Sequence, residues 1–239
     1  MATKIALITG SSQGLGRAIA LALAEDGYQI VLHYLSQEQA ALQTQMAIAQ
    51  RFGQKCLLLK ADLADYTAVE AMFDQIIRVF GRLDVLVQNV GNYLKKNILD
   101  LAPQEWNYIM DTNLQCTFYC NRLAAKIMMP QGYGHIINIG YATAGKIDAR
   151  PLTTPYHIAK TGVLLLTKAL AAELASRQIT VNMVSPGVLE NSLSKPLHEI
   201  PMNRLGSFDD MIGVIRFLLS EKGSYITGQH IEVAGGWRV

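Results

Sequence analysis

Apolar and polar positions along this chain fall into two patterns that take turns. Short continuous apolar runs recur from end to end: "KIALIT", "QIVLHY", "KCLLLKA", "LDVLVQN", "HIINIG", "ITVNMVS" and "QHIEVA". Runs that are apolar at successive positions predict strands buried on both faces, as in a parallel sheet. Between them lie stretches of helical periodicity: Leu15 to Glu25, Gln37 to Arg51, Thr67 to Phe80, Glu105 to Met129, Tyr156 to Ser176 and Asp209 to Ser220. Strand followed by helix, repeated, means βαβ crossovers. The expected fold class is therefore α/β: a Rossmann-type doubly wound parallel sheet of about seven strands with helices on both faces. No linker or low-complexity tract interrupts the rhythm, so one domain over residues 1–239 is expected. The long irregular piece is "LENSLSKPLHEIPMNRLG", Leu189 to Gly206. Pro196 and Pro201 discourage regular structure there, and such a segment late in a compact domain is a candidate substrate lid.

Composition narrows the function classes. The chain has a net charge of +2 with acids and bases mixed along it, and no basic stripe that would favour nucleic acid. No apolar run is long enough to span a bilayer. The opening "MATKIALITG" runs into a strand without the layout of a signal peptide, so a cytoplasmic location is expected. Cys56, Cys116 and Cys120 are read as buried thiols in a reducing compartment. The histidines at 33, 135, 157, 198 and 230 lie in different elements without ligand spacing, and no metal is expected.

Two places carry candidate chemistry. "ITGSSQGLGRAIALALAEDG" follows the first strand and opens a helix, with Gly10, Gly14 and Gly16 spaced G-x-x-x-G-x-G. Glycines there let a pyrophosphate approach a helix N-terminus, whose free N–H groups and dipole favour anions. An acid at the end of the second strand usually holds the ribose of NAD. Here that strand ends in His33, Tyr34, Leu35 and Ser36, so nothing on it repels a 2′-phosphate. NADP(H) is the expected cofactor, with NAD(H) the alternative. The second place is Tyr156-x-x-x-Lys160, a pair on one helical face. A lysine ammonium beside a tyrosine favours phenolate. The expectation is a lowered tyrosine pKa and a general acid–base for moving a proton at an alcohol or carbonyl oxygen.

Taken together, these motifs resemble the short-chain dehydrogenase/reductase family over essentially the whole chain. The glycine motif matches as "TGSSQGLG", which brings in Ser12, Gln13 and Leu15; "ADL" matches the acid after the third strand, Asp62 with Leu63, at the adenine. "QNVG" matches at Asn89 and Gly91, beside the adenosine ribose, and "MDTNL" places Asn113 where the family holds a relay water. "SPGV" puts Pro186 and Gly187, with Leu189 just beyond, against the nicotinamide. The resemblance implies Tyr156 as acid, with Lys160 tuning it and holding the nicotinamide ribose. Among subgroups the chain looks most like bacterial 3-oxoacyl-[acyl-carrier-protein] reductases. That implies a carbonyl or acyl-thioester substrate and a homotetramer or homodimer. Arg177 falls where related reductases receive an acyl carrier protein.

Three departures stand out. The family serine beside the tyrosine is absent. Anchoring on "IINIG" puts Tyr141 in its place, and counting back from Tyr156 puts Thr143 there, either hydroxyl able to donate to a carbonyl oxygen. Asn191 or Ser192 stands where the family often has a threonine, and the candidate lid is short, implying a more open site. A pteridine or quinone reductase of the same fold, and a nucleotide-binding homologue without turnover, remain the alternatives.

Overall fold

The computed structural model describes residues 3–192 and 194–238. Its strands are β1 (Ile5–Ile8), β2 (Gln29–Tyr34), β3 (Leu57–Lys60), β4 (Val85–Gln88), β5 (Gly134–Ile139), β6 (Ile179–Pro186) and β7 (His230–Val233). They form one sheet in the order β3-β2-β1-β4-β5-β6-β7, every neighbouring pair parallel. Along β1 the side chains alternate between two separate cores: Ile5 and Leu7 pack on one face, Ala6 and Ile8 on the other. This is why the strand sequences read as continuous apolar runs. Helices α1 (Gly14–Glu25), α2 (Glu38–Phe52) and α7 (Phe208–Leu219) lie together on one side; α3 (Tyr66–Phe80), α5 (Cys116–Gln131) and α6 (Thr154–Leu174) cover the other. The strand order reverses between β1 and β4, which opens a crevice at the carboxyl ends of the strands.

The expected long helix from Glu105 to Met129 is two. Helix α4 (Pro103–Met110) passes through a wide π turn, Asp111–Gln115, into α5. Polar side chains compete for the backbone carbonyls at this point. The Thr112 hydroxyl donates to Tyr108 O (2.6 Å), the Asn113 amide to Ile109 O (3.0 Å), and the Thr117 hydroxyl to Asn113 O (2.5 Å). Such side-chain bonds loosen the i→i−4 ladder, and single π turns of this kind gather at functional sites. Asp65 caps α3, its carboxylate accepting from Thr67 N–H at 2.9 Å.

The candidate lid is strapped down rather than open. Its ends meet in a bridge between Leu189 and Gly206, and Glu190 N–H donates to Gly206 O (3.0 Å). Its Ile200 is buried against Trp237, whose indole N–H donates to the Glu199 carboxylate (3.0 Å). Leu193 within it lies outside the described residues. All three cysteines are buried and free; burial pushes Cys56 up to about 12 and Cys116 to about 11, so both stay thiols. Among the described residues no helix is long and apolar enough to cross a membrane, and no cluster of three His, Cys, Asp or Glu could hold a metal ion.

Candidate active site

The glycine loop is built for a close anionic ligand. Gly10 has φ +61°, a left-handed conformation that other residues rarely adopt. A Cβ on Gly16 would lie 2.7 Å from the Asn89 amide, so the loop closes onto the end of β4. Asn89 holds it there, donating to Thr9 O (3.0 Å) and Gly10 O (3.3 Å). Thr9 completes the clasp: its hydroxyl accepts from Asn89 N–H (2.9 Å) and Val90 N–H (3.1 Å). Ser12 is tied through its carbonyl to the Thr44 hydroxyl of α2 (3.0 Å). The loop feeds α1, whose N-cap Gln13 makes no side-chain cap bond and whose first turn carries no acid. The first N–H groups of α1 therefore have no partner among the described residues, the condition for receiving a phosphate. This chain's residues fit the pyrophosphate of a dinucleotide. Leu15 packs against the core beneath, and the Asn191 amide lies beside Gly14, where a Cβ would stand 3.6 Å from it.

In the turn after β3, Asp62 turns back on its own loop, accepting from Ala64 N–H at 2.9 Å, while Leu63 is buried in the core. Tyr34 is also buried. Burial first, then the Glu38 carboxylate beside it, push its phenol above the ordinary 10. An acid thus does reach the end of β2, but from the first residue of α2 rather than from the strand, which is why reading the strand missed it.

The candidate reacting groups come from two elements. Tyr156 and Lys160 occupy the first turns of α6, and Asn113 the π turn. Gly91 lies between them: a Cβ built on it would stand 2.5 Å from Asn113 Oδ1 and 3.0 Å from Lys160 Nζ. Lys160 is buried and donates to Ile139 O at 2.9 Å. Asn113 is fully buried; its amide also donates to Asn92 O (2.9 Å), while its Oδ1 has no partner. A buried acceptor left open beside an ammonium suits an ordered water.

The expected lowering of the Tyr156 pKa is not what this environment does. Burial, then the neighbouring phenols of Tyr141 and Tyr93, push Tyr156 above its usual 10. Both rings stand edge-on to it, with centroids at 5.5 Å for Tyr141 and 5.1 Å for Tyr93. Burial also lowers Lys160, to about 8.

The two candidates for the missing serine prove unequal. Thr143 has φ +76°, is fully buried and is engaged on both sides. Its N–H donates to the Glu232 carboxylate (3.1 Å), and its hydroxyl accepts from Arg150 (3.1 Å). Arg150, whose side chain is only 9% exposed, is fixed in turn by two bonds to Asp148 at 2.8 and 2.7 Å. Tyr141 is partly exposed, beside Tyr156 on one side and Trp237 on the other (6.4 Å). Pro186 ends β6 and Gly187 follows it, with Pro186 O accepting from Ala142 N–H (3.0 Å). They border the same crevice. Leu189 is buried in the core, and its N–H donates to the Ser192 hydroxyl (3.0 Å), so Ser192 is a turn residue and Asn191 is the one that faces the glycine loop. Arg177 follows the C-terminal end of α6; 21 helical residues span about 31 Å, which separates it from the Tyr156 end of its own chain.

Comparison with known proteins agrees with this geometry. Residues 10–238 match the family described as Enoyl-(Acyl carrier protein) reductase. The 3-oxoacyl-[acyl-carrier-protein] reductase of Staphylococcus aureus is 39% identical, covering 98% of both chains, and that of Escherichia coli K12 is 34% identical, covering 98% of this chain and 96% of its own. The crystal structure of acetoin dehydrogenase from Salmonella typhimurium superposes with a TM-score of 0.89 at 34% identity, covering 99% of this chain and 96% of the other. The chain belongs to the short-chain dehydrogenase/reductase family. It is an oxidoreductase of that family, with a nicotinamide cofactor.

Within this short-chain reductase, four residues beside the site escaped sequence reading. His33 and Thr9 brace the glycine loop, Arg150 braces Thr143, and Tyr93 flanks Tyr156. Thr9 had a signal, because it stands inside the glycine motif. His33 and Tyr93 owe their place to contacts across different elements, and Arg150 to a bond within the loop after β5, none of which local spacing announces.

Proposed function

We propose that this chain is an NADP(H)-dependent carbonyl reductase whose leading substrate is a 3-oxoacyl thioester. The observation that carries the proposal is the meeting of Lys160 and the open Asn113 Oδ1 at Gly91, with Lys160 Nζ 5.7 Å from the Tyr156 ring centre, next to a glycine loop with free helix N–H groups. The curated relatives named as 3-oxoacyl reductases support the substrate class. A bound nicotinamide supplies the hydride. Tyr156 gives its proton to the carbonyl oxygen as charge develops there. Its raised pKa suits this direction, since the phenol holds its proton at neutral pH until the acceptor needs it. Lys160, held by Ile139 O, keeps further N–H donors for the cofactor ribose and for a water on Asn113, through which the Tyr156 proton is replaced. Tyr141 donates to the same carbonyl oxygen, in the family serine's place. NADP(H) rests on the absence of an acid on β2 itself; Glu38, arriving from α2, is the feature that would favour NAD(H). A homotetramer or homodimer fits the exposed apolar Phe118, Ile158 and Leu165 on α5 and α6, and a cytoplasmic location goes with this role.

One observation favours a second substrate class. Tyr93, Tyr141 and Tyr156 make an aromatic enclosure that suits a flat ring, as in a quinone or a pterin. The test is nicotinamide absorbance with NADPH and NADH separately, against a 3-oxoacyl thioester, a quinone and a dihydropterin. Turnover of the thioester with NADPH is the expected result. Turnover confined to the flat rings would replace the substrate class, and cofactor binding without turnover on any carbonyl would overturn the reductase reading.

The pH dependence follows from Lys160. Its folded pKa of about 8 lies below the ordinary 10.5, so the ammonium is present below about 8 and lost as pH rises through that value. With NADPH, kcat/KM is expected to be level near neutrality and to fall above about 8, with Lys160→Arg moving the fall upward. The protein's stability should change in the opposite sense: the unfolded lysine binds more protons between about 8 and 10.5, so stability rises across that window. A rate that stays level to pH 10 would remove the ammonium from the mechanism.

A further inference from the structure

His33 is the penultimate residue of β2 and is only 2% exposed. Its imidazole is used at both nitrogens. Nδ1 accepts from Gly10 N–H at 3.0 Å, and Nε2 lies 3.1 Å from Ala61 O. A backbone N–H can only donate and a carbonyl can only accept. The ring must therefore be bare at Nδ1 and protonated at Nε2, a single neutral tautomer. Burial pulls the group from 6.5 down to about 4, in agreement with a ring that stays neutral. The main chain is tied to the same loop: His33 N–H donates to the Ser11 hydroxyl (3.0 Å), and His33 O accepts from Ser11 N–H (3.0 Å).

The two groups that the ring joins have separate tasks. Gly10 opens the phosphate loop in a left-handed conformation, held from the β4 side by Asn89. Ala61 directly precedes Asp62 at the adenine end. The ring thus bridges from the loop that would cradle the pyrophosphate to the turn that would meet the adenine. Neither Asn89 nor Thr44 makes that connection; each holds the glycine loop to its own neighbouring element.

We propose that His33 is a positioning residue that sets the spacing between the phosphate loop and the adenine turn, and thereby the affinity for the ADP half of the nicotinamide cofactor. The inference rests on the cofactor reading of this site, but not on the carbonyl substrate. It assigns His33 no part in the proton chemistry, which occurs at the far end of the crevice around Tyr156.

The test uses three variants of the full-length chain. His33→Leu keeps the bulk and loses both bonds. His33→Asn keeps an acceptor where Nδ1 stands, and His33→Gln keeps a donor nearer to Nε2. Cofactor Kd is read by quenching of intrinsic fluorescence on titration with NADPH and with NADH, beside kcat at saturating cofactor and the thermal midpoint. Leaving the buried Gly10 N–H unpaired should weaken cofactor binding about tenfold in His33→Leu, with kcat changed by less than about twofold. His33→Asn should recover most of the affinity, to within about threefold of wild type, and His33→Gln should recover less. The proposal is overturned by a His33→Leu Kd equal to wild type, by a loss that falls on kcat alone, or by equal Kd values for the Asn and Gln variants. Failure of all three variants to fold would also overturn it, by making His33 a requirement of the fold. Because Kd is read without substrate, a chain that binds cofactor and reduces no carbonyl would still report on His33.

Discussion

Replacing Tyr156 by phenylalanine is expected to lower kcat by about 10²–10⁴-fold, the usual contribution of a positioned general acid, while leaving cofactor affinity within about twofold. The substitution removes one oxygen and keeps the ring. The edge contacts with Tyr93 at 5.1 Å and Tyr141 at 5.5 Å survive, so folding should be unaffected. Steady-state rates measured beside cofactor titration separate the two terms. The size of the loss also bears on the two extra phenols. If Tyr141 or Tyr93 could pass a proton in place of Tyr156, the variant would keep activity within about tenfold of wild type, and the assignment of Tyr156 as the acid would be wrong.

The second large effect concerns the missing serine. Tyr141→Phe is expected to reduce kcat/KM by about 10²–10³-fold, the cost of removing one hydrogen-bond donor from the place where negative charge develops on an oxygen. Thr143→Val should behave differently. The Thr143 hydroxyl accepts from Arg150, and Thr143 is fully buried with its N–H held by Glu232, so its part in the structure is to seat Arg150. Losing that hydroxyl should leave kcat/KM within about threefold and cost about 1–3 kcal/mol of stability, because Arg150 loses a buried partner. Kinetics and thermal unfolding of the pair, side by side, decide the matter. A rate loss in Thr143→Val with none in Tyr141→Phe would reverse the assignment.

The effects on the two residues separate because of how the loop after β5 is built. Arg150 is braced by Asp148, reaches Thr143, and Thr143 is anchored on β7 through Glu232. This chain of contacts turns Thr143 inward with a left-handed backbone and leaves Tyr141 between Tyr156 and Trp237. Counting residues from Tyr156 could not anticipate it. The segment through which that count runs is the one that supplies Arg150.

The fold was legible from the chain because its signals are local. Each strand is buried on both faces, so its sequence is apolar without a break, and each helix carries its own periodicity; the seven strands fall where those runs stand. Gly10, Gly14 and Gly16 after β1, and Tyr156 four residues before Lys160 in α6, are likewise short-range patterns whose geometry follows from one turn or one helix. What spacing cannot carry is distance through space and burial. Only the packed sheet brings Gly91, Asn113 and Lys160 together. Burial raises Tyr156, where the Tyr–Lys pair alone led to the opposite expectation. The same holds at the cofactor end. Reading β2 by itself found no acid and passed over its histidine, whereas the tertiary structure delivers Glu38 from α2 and places His33 under the phosphate loop. Strands and helices follow from near neighbours along the chain. Charge, tautomer and proton affinity follow from neighbours that only folding supplies.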